Sequence, residues 1–199
     1  KIQNDTDSYL WRDLKPELMQ VSPTGLDSRV GLQILQNWNG NTDLNSQGAL
    51  IFAYWYKELI QMPMDSISFG SDWPEPLFIK QQLATNGTYC QDNPDHSCRA
   101  FLSDTLNTAM QNVVADYGND PKKWHWDTAH RALFKELGFG EIPGISLIWN
   151  RSIQSPGGLY TVDVGTYDES DFVQNKGAGY RQIVDLNNFT ERPGQKIIK

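Results

Sequence analysis

Hydrophobic positions over the first 140 residues recur at the spacing of amphipathic helices. Leu10, Leu14 and Leu18 are four residues apart and follow several N-capping candidates. The segments DSRVGLQILQNW, SDWPEPLFIKQQLA and CRAFLSDTLNTAMQNVVADYG have similar periodicity, whereas NSQGALIFAYWYKELIQ is apolar on nearly every side. We therefore predict a block of five helices in which this last segment is central.

After Gly140 the pattern changes to short β-rich runs bounded by turn residues. The three runs are GISLIWNRS, GLYTVDVG and GYRQIVDLN, and the polar stretch DFVQNKGAG between the last two predicts an exposed loop. The fold class expected is α+β, with a helical block over about residues 4–137 followed by short antiparallel strands. We divide the chain into a mainly helical part, 1–140, and a β-strand part, 141–199.

Composition narrows the possible partners. A chain of 199 residues, 39% of them hydrophobic, is able to bury a substantial core. Its net charge of −7 and scattered basic residues argue against nucleic acid, and no apolar run reaches the length of a membrane span. The opening residues lack a signal-peptide pattern, so we expect a cytosolic chain or one that has been processed or cut.

Cys90 and Cys98 are separated by a polar, flexible segment that allows their sulfurs to meet. We favour a disulfide, which would indicate a periplasmic or secreted protein. Free thiols remain an alternative, as does a metal site with His96 as third ligand, although this spacing matches no common zinc motif and lacks a fourth ligand. We therefore predict no metal and no cofactor.

The segment WHWDTAHRALF places Trp124, Trp126 and His130 within seven positions. These side chains are candidates for the wall of a binding pocket. The favoured interpretation is structural: both indoles pack against the strands while His130 bonds to a backbone carbonyl where helices give way to strands.

Arg181 and Asp185 lie on the same side of a predicted strand. If Arg181 is buried it needs a carboxylate, and Asp163 or Asp185 is available, so we expect a structural ion pair. The chain has no GxSxG motif, and none of its three histidines is near a recognisable nucleophile. We therefore assign no catalytic residue.

Several motifs together resemble the penicillin acylase family of N-terminal-nucleophile (Ntn) amidohydrolases. They are WDTAH, SPGGLYTVDVG, GAGYRQIVDL and PGQ, in this order, preceded by LQILQNWNGNTDLNSQGALIFAYWYKEL. The resemblance extends from Asp7 to Gln195 and corresponds to the C-terminal portion of the family's β-subunit. It implies that these residues form part of an αββα sandwich.

The resemblance also implies a function, hydrolysis of a linear side-chain amide such as that of a β-lactam or an N-acyl homoserine lactone. In the family, a serine at the start of the β-subunit provides the attacking hydroxyl and the free α-amine that acts as base. This chain starts with Lys1, which has no hydroxyl or thiol. We therefore expect the nucleophile and the oxyanion residues to lie outside it, and the fragment alone to be inactive.

The same resemblance predicts the partners. They are the α-subunit and the N-terminal part of the β-subunit, and we expect an isolated fragment to dimerise or swap strands to cover its exposed edges. A non-catalytic binding or scaffold module of the same ancestry is the alternative function. We expect Trp126, His130 and Arg181 either to line a pocket or to have a structural role.

Overall fold

A computed structural model describes residues 4–61, 76–90, 97–136, 138–139, 142–144, 146–168 and 170–179. Within these ranges the chain forms helices α1 (Tyr9–Leu18), α2 (Leu26–Asn37), α3 (Gln47–Gln61), α4 (Pro76–Thr85), α5 (Cys98–Tyr117), α6 (Trp126–Ala129) and α7 (Ser146–Trp149). The strands are β1 (Arg131–Phe134), β2 (Arg151–Gln154), β3 (Gly165–Tyr167) and β4 (Gln174–Gly177). The α+β class is confirmed.

The five predicted helices are present as α1 to α5, and the serines that precede α1, α3 and α5 cap those helices with their side chains. The hydroxyl of Ser8 accepts the backbone N–H of Trp11 at 3.1 Å, which satisfies a donor at the start of α1. Ser97 does the same for Ala100 at the start of α5 at 3.2 Å. Helix α5 ends at Gly118, whose φ of +81° few other residues adopt.

Helix α3 is the centre of the helical block, as its all-round apolar sequence predicts. It packs mainly against α5 and also against α2. The indole N–H of Trp55 in α3 donates to the hydroxyl of Thr105 in α5 at 3.0 Å, so these two buried polar groups are paired. On another side of α3, Phe52 packs against Trp11 and Trp38 with ring centroids 5.1 and 5.8 Å away.

The four strands form one sheet in the order β2-β1-β4-β3. Strand β1 is antiparallel to β2, and β3 is antiparallel to β4 with a bulge after Thr166. The two hairpins join through a parallel pairing of β1 with β4, in which Ala132 lies opposite Gln174. The predicted antiparallel pairing is present in both hairpins, whereas the parallel pairing that joins them was not predicted, so the sheet is mixed.

The extent of the helical block was also wrong. Residues 131–134, which lie inside the predicted block of 4–137, form β1. Their sequence, RALF, favours a helix on local propensity, but pairing with β2 on one side and β4 on the other overrides that preference. The division into parts at residue 140 stays a prediction.

Two local predictions in the strand region differ from the structure. Residues 146–149 of GISLIWNRS form α7, and the strand begins only at Arg151. In GLYTVDVG only Gly165 enters a strand, and residues 174–177 of the predicted loop DFVQNKGAG form β4. The run GYRQIVDLN, with Arg181 and Asp185, lies outside the described residues apart from Gly179.

None of the helices in the described part of the chain is long and apolar enough to cross a bilayer.

Gly48 in α3 provides a test of how tightly the helical block is packed. A Cβ atom at this position would overlap the indole of Trp38. Alanine normally stabilises a helix relative to glycine, but here we expect Gly48→Ala to lower the free energy of unfolding by about 1–3 kcal/mol. Urea unfolding followed by circular dichroism measures this change.

The matched control is Gly179→Ala, because a Cβ there meets no atom of the described residues within 4 Å. We expect it to change the free energy of unfolding by less than about 0.5 kcal/mol. Equal stability of Gly48→Ala and wild type would contradict the packing of α3 on Trp38.

Candidate functional site

The two indoles of the WHWDTAH segment anchor it in the core through burial and hydrogen bonds. Trp124 and Trp126 are almost fully buried, and their indole N–H groups donate to the carbonyls of Gly118 at 2.8 Å and Gly157 at 2.9 Å. The backbone N–H of Trp126 also donates to the carbonyl of Ser46 at 3.2 Å. The segment thus ties α5, the start of α3 and the turn at Gly157 together.

His130 is fully buried at the end of this segment, just before β1. Its ring stacks on Trp126 with centroids 4.7 Å apart and planes 12° apart. Nδ1 lies 2.9 Å from the carbonyl oxygen of Phe172 and must be the protonated nitrogen, since a carbonyl only accepts. Burial lowers the pKa of His130, which the bond to the Phe172 carbonyl opposes to a smaller extent, so the ring is neutral at pH 7.

Nε2 of His130 therefore carries a lone pair in a buried position. It has no hydrogen-bond partner within the described ranges, and neither has the buried Oε1 of Gln174. Both side chains converge on Gly165 of β3: a Cβ atom there would lie 2.7 Å from Nε2 and 3.2 Å from Cδ of Gln174. Glycine is required at this point because any side chain would collide with the imidazole.

Phe172, which His130 holds through its carbonyl, has an unusual backbone conformation. Its φ is +57°, a region that non-glycine residues seldom occupy. The backbone N–H of Phe172 donates to the carbonyl of Asp168 at 2.9 Å, and the Asp168 carboxylate accepts the N–H of Ser170 at 2.9 Å. Hydrogen bonds to His130 and Asp168 therefore hold Phe172 in this positive-φ conformation. Such strained backbone conformations are frequent at functional sites.

The Phe172 ring forms one wall of a cleft of about 430 Å³ between α3, α5 and the loop. The remaining lining residues are Tyr54, Lys57, Asn112, Asp116, Tyr117, Ser170 and Asp171. The hydroxyl of Tyr54 donates to Oδ2 of Asp116 at 2.6 Å. Burial, reinforced by this bond to Asp116, raises the pKa of Tyr54 well above its ordinary value, so the phenol keeps its proton.

A second polar contact lies along the same seam between α3 and α5. Glu58 is buried, and its Oε1 accepts the side-chain amide of Asn112 at 3.0 Å. Burial raises the pKa of Glu58, while the charge of Lys57 and the bond from Asn112 oppose that rise. The seam thus combines two carboxyl groups, two phenols and an ammonium group within two helical turns.

The structure brings together only some of the residues singled out from the sequence. Trp126 and His130 are in contact, whereas Arg181 lies outside the described residues. Cys90 and Cys98 have Cα atoms 4.8 Å apart and sulfurs within bonding distance. No group of three metal-binding side chains occurs in the ranges that the structure describes, and His96 is outside them.

Sequence reasoning missed the cleft residues Tyr54, Lys57, Asp116 and Phe172. One signal was available, because Lys57 and Glu58 are the only charged residues in the apolar sequence of α3. A charge pair in such a helix indicates a polar opening at that point. Phe172 gave no comparable signal, since its conformation depends on contacts with distant residues.

A model of the penicillin amidase family matches residues 1–198, almost the whole chain. The chain therefore belongs to the penicillin amidase family, and at this level it is an acylase-like amidohydrolase. A search of curated proteins finds no match.

The neutral, buried ring of His130 predicts a specific dependence of stability on pH. In the unfolded chain a histidine takes up a proton near pH 6.5, whereas the folded state resists it because its pKa is lowered. Stability is therefore lost as the pH falls through about 6.5. His130→Asn keeps a donor for the Phe172 carbonyl but takes up no proton, and should lack this loss.

We expect the stability of wild type relative to His130→Asn to fall by up to about 1.4 kcal/mol per pH unit below pH 6.5. Urea unfolding at pH 7.5, 6.5 and 5.5 measures the difference, and carboxylates common to both proteins cancel. The comparison variant is His125→Asn, which removes a histidine outside the stack on Trp126. Parallel pH curves for wild type and His130→Asn would contradict a lowered pKa of His130 in the folded protein.

Proposed function

We propose that the chain is the C-terminal portion of the β-subunit of an amidase that cleaves a linear side-chain amide. Substrates of the β-lactam or N-acyl homoserine lactone type fit this proposal. The nucleophile is an N-terminal serine on polypeptide that precedes this portion. The observation that carries the proposal is the match of the penicillin amidase family over residues 1–198.

The chemistry of such an enzyme leads us to expect that none of the chain's own groups serves as nucleophile. A serine in the middle of a chain has its nitrogen in a peptide bond, so it lacks the free amine that takes up the proton during attack. His130 does not replace that amine as the base, because within the described residues no hydroxyl or thiol is hydrogen-bonded to its buried Nε2. The chain's contribution is to complete the fold around the active site.

An exposed apolar surface supports the presence of further polypeptide. The surface consists of Phe134 at the end of β1, Phe139, and Leu147, Ile148 and Trp149 of α7, all of which are exposed. Monomeric proteins seldom leave large contiguous apolar surfaces in water. We propose that the rest of the acylase, the α-subunit and the N-terminal part of the β-subunit, covers this surface and extends the sheet into an αββα sandwich.

The alternative is a non-catalytic binding or scaffold module of the same ancestry. The dense packing around Trp126 and His130 is equally suited to that role. Both functions leave the isolated chain inactive, but only the first predicts activity once the missing portion is supplied.

Reconstitution tests the proposed function. The 199-residue chain alone should not hydrolyse a chromogenic acyl anilide. Co-expression with the upstream portion of the same protein should restore hydrolysis, and changing the serine that begins the β-subunit to alanine should abolish it. Turnover by the chain alone, or failure of the assembled enzyme to cleave any acylated amine, would sink the proposal.

A pair of leucine variants tests the role of the apolar surface in this assembly. Leu147 in α7 is 85% exposed and Leu26 at the start of α2 is 77% exposed. Leu147→Asp should reduce assembly and recovered activity about tenfold or more, since a carboxylate would be buried in an apolar interface. Leu26→Asp makes the same change outside that surface and should leave both unaltered.

We also propose that Cys90 and Cys98 form a disulfide and that the protein works in the periplasm or is secreted. The proximity of the two sulfurs supports the bond, and disulfides persist in oxidising compartments. The bond would close a short loop between the turn after α4 and the start of α5.

Thiol titration tests the disulfide. Protein purified from the periplasm and denatured without reductant should expose no free thiol, and after reduction it should expose two. We expect Cys90→Ala/Cys98→Ala to lower the free energy of unfolding by roughly 2–3 kcal/mol because the unfolded loop is no longer constrained. Two reactive thiols before reduction would contradict the bond and remove this support for an exported protein.

A further inference from the structure

We propose that Asn39 is a site of spontaneous covalent modification, at which the side chain deamidates through a cyclic imide to aspartate and isoaspartate. The chain contains two Asn–Gly pairs, Asn39–Gly40 and Asn86–Gly87. Glycine has no side chain to shield its backbone nitrogen, so that nitrogen approaches the preceding asparagine more readily than the nitrogen of another residue does. In the folded protein only the first pair is arranged to react.

The reaction forms one bond and breaks another within a single Asn–Gly pair. The backbone nitrogen of Gly40 attacks Cγ of Asn39, and the side-chain amide leaves as ammonia, which carries away the proton of the attacking nitrogen. The attack is intramolecular, so the arrangement of the two groups governs its rate. Water then opens the cyclic imide at one of its carbonyl carbons to give aspartate, or at the other to give isoaspartate. Water is the only co-reactant, and no group is oxidised or reduced.

The contacts of the Asn39–Gly40 pair favour this attack. Asn39 is exposed, and its Oδ1 accepts the backbone N–H of Asn41 at 3.0 Å. That hydrogen bond folds the side chain back along the backbone of Gly40 and polarises the carbonyl group that is attacked. The buried side of Gly40 faces Trp11, and its backbone N–H has no acceptor among the residues that the structure describes. No hydrogen bond of this nitrogen therefore has to break before it reacts.

The Asn86–Gly87 pair is also exposed at its asparagine, but hydrogen bonds restrain both reacting groups. Oδ1 of Asn86 accepts the backbone N–H of Cys98 at the start of α5 at 2.7 Å. The backbone N–H of Gly87 donates to the carbonyl of Gln82 in α4 at 2.8 Å. Attack at this pair has to break the second bond and pull the side chain away from α5. Exposure alone would therefore not distinguish the two pairs, whereas their hydrogen bonds do.

Modification at position 39 would alter the contact between the start of α1 and the turn before α3. The carbonyl of Gly40 accepts the backbone N–H of Ser8 at 2.9 Å, and the indole N–H of Trp38 donates to the carbonyl of Asn41 at 2.9 Å. Isoaspartate adds a methylene group to the main chain between Trp38 and Gly40, so these two hydrogen bonds no longer fit together. Aspartate leaves the length of the main chain unchanged.

Peptide mapping of protein aged at mildly alkaline pH tests this inference. We expect isoaspartate to accumulate at position 39 at least about tenfold faster than at position 86 in the folded chain, because the second site must first break its hydrogen bonds. In denaturant the two rates should become similar, because both pairs then have the same Asn–Gly chemistry without the restraints.

Two variants locate the signal and its effect. Asn39→Gln, whose longer side chain would have to form a larger ring, should accumulate no isoaspartate at position 39 and leave the rate at position 86 unchanged. Asn39→Asp carries the charge of the product on an unaltered main chain. The isoaspartate form, separated from aged protein, should therefore unfold at a lower temperature than Asn39→Asp.

Three results would overturn the inference. They are equal or faster modification at position 86 in the folded chain, a rate at position 39 that is about tenfold or more slower in the folded chain than in denaturant, and equal unfolding temperatures of the isoaspartate form and Asn39→Asp. Amidase activity does not enter this experiment. A failure here therefore leaves the proposed function intact, and a failure of the proposed function leaves this site intact.

Discussion

The burial of α3 is the constraint on which the rest of the structure depends. A helix with apolar side chains on nearly every face cannot remain in water, so it must be covered on all sides. Helices α2 and α5 cover part of it, while Trp11 and Trp38 pack against Phe52 on another part. The ring of Tyr54 packs against that of Phe172, so the loop before β4 covers a further part of α3. The position of the sheet follows from that last contact.

The helices could be predicted from the sequence because the hydrophobic spacing that defines each one involves only residues close together in the chain. Leu10, Leu14 and Leu18 mark one face of α1 by spacing alone, and all three are buried. The sheet could not be predicted in the same way. RALF becomes β1 only because β2 and β4 pair with it, and the polar residues of β4 lack the alternation typical of a strand.

The candidate site shows the same division between local and distant information. The motif containing Trp126 and His130 was visible in the sequence, and the two rings do stack. The role of His130 in holding the backbone of Phe172 could not be predicted from the sequence, because this hydrogen bond joins residues 42 positions apart. Family membership, in turn, assigns the class of reaction without stating which groups of this portion touch a substrate. The cleft beside Phe172 is lined by side chains of this portion itself.

The close packing around Gly165 restricts which amino-acid substitutions this part of the molecule tolerates. The space that its side chain would occupy is taken by Nε2 of His130 and the amide of Gln174. Positions 130 and 165 therefore share one fixed volume, and a larger residue at the second is accommodated only with a smaller one at the first. Amino-acid choice at these two sites, 35 positions apart, is physically coupled. Redesign of the sheet must treat them as one unit.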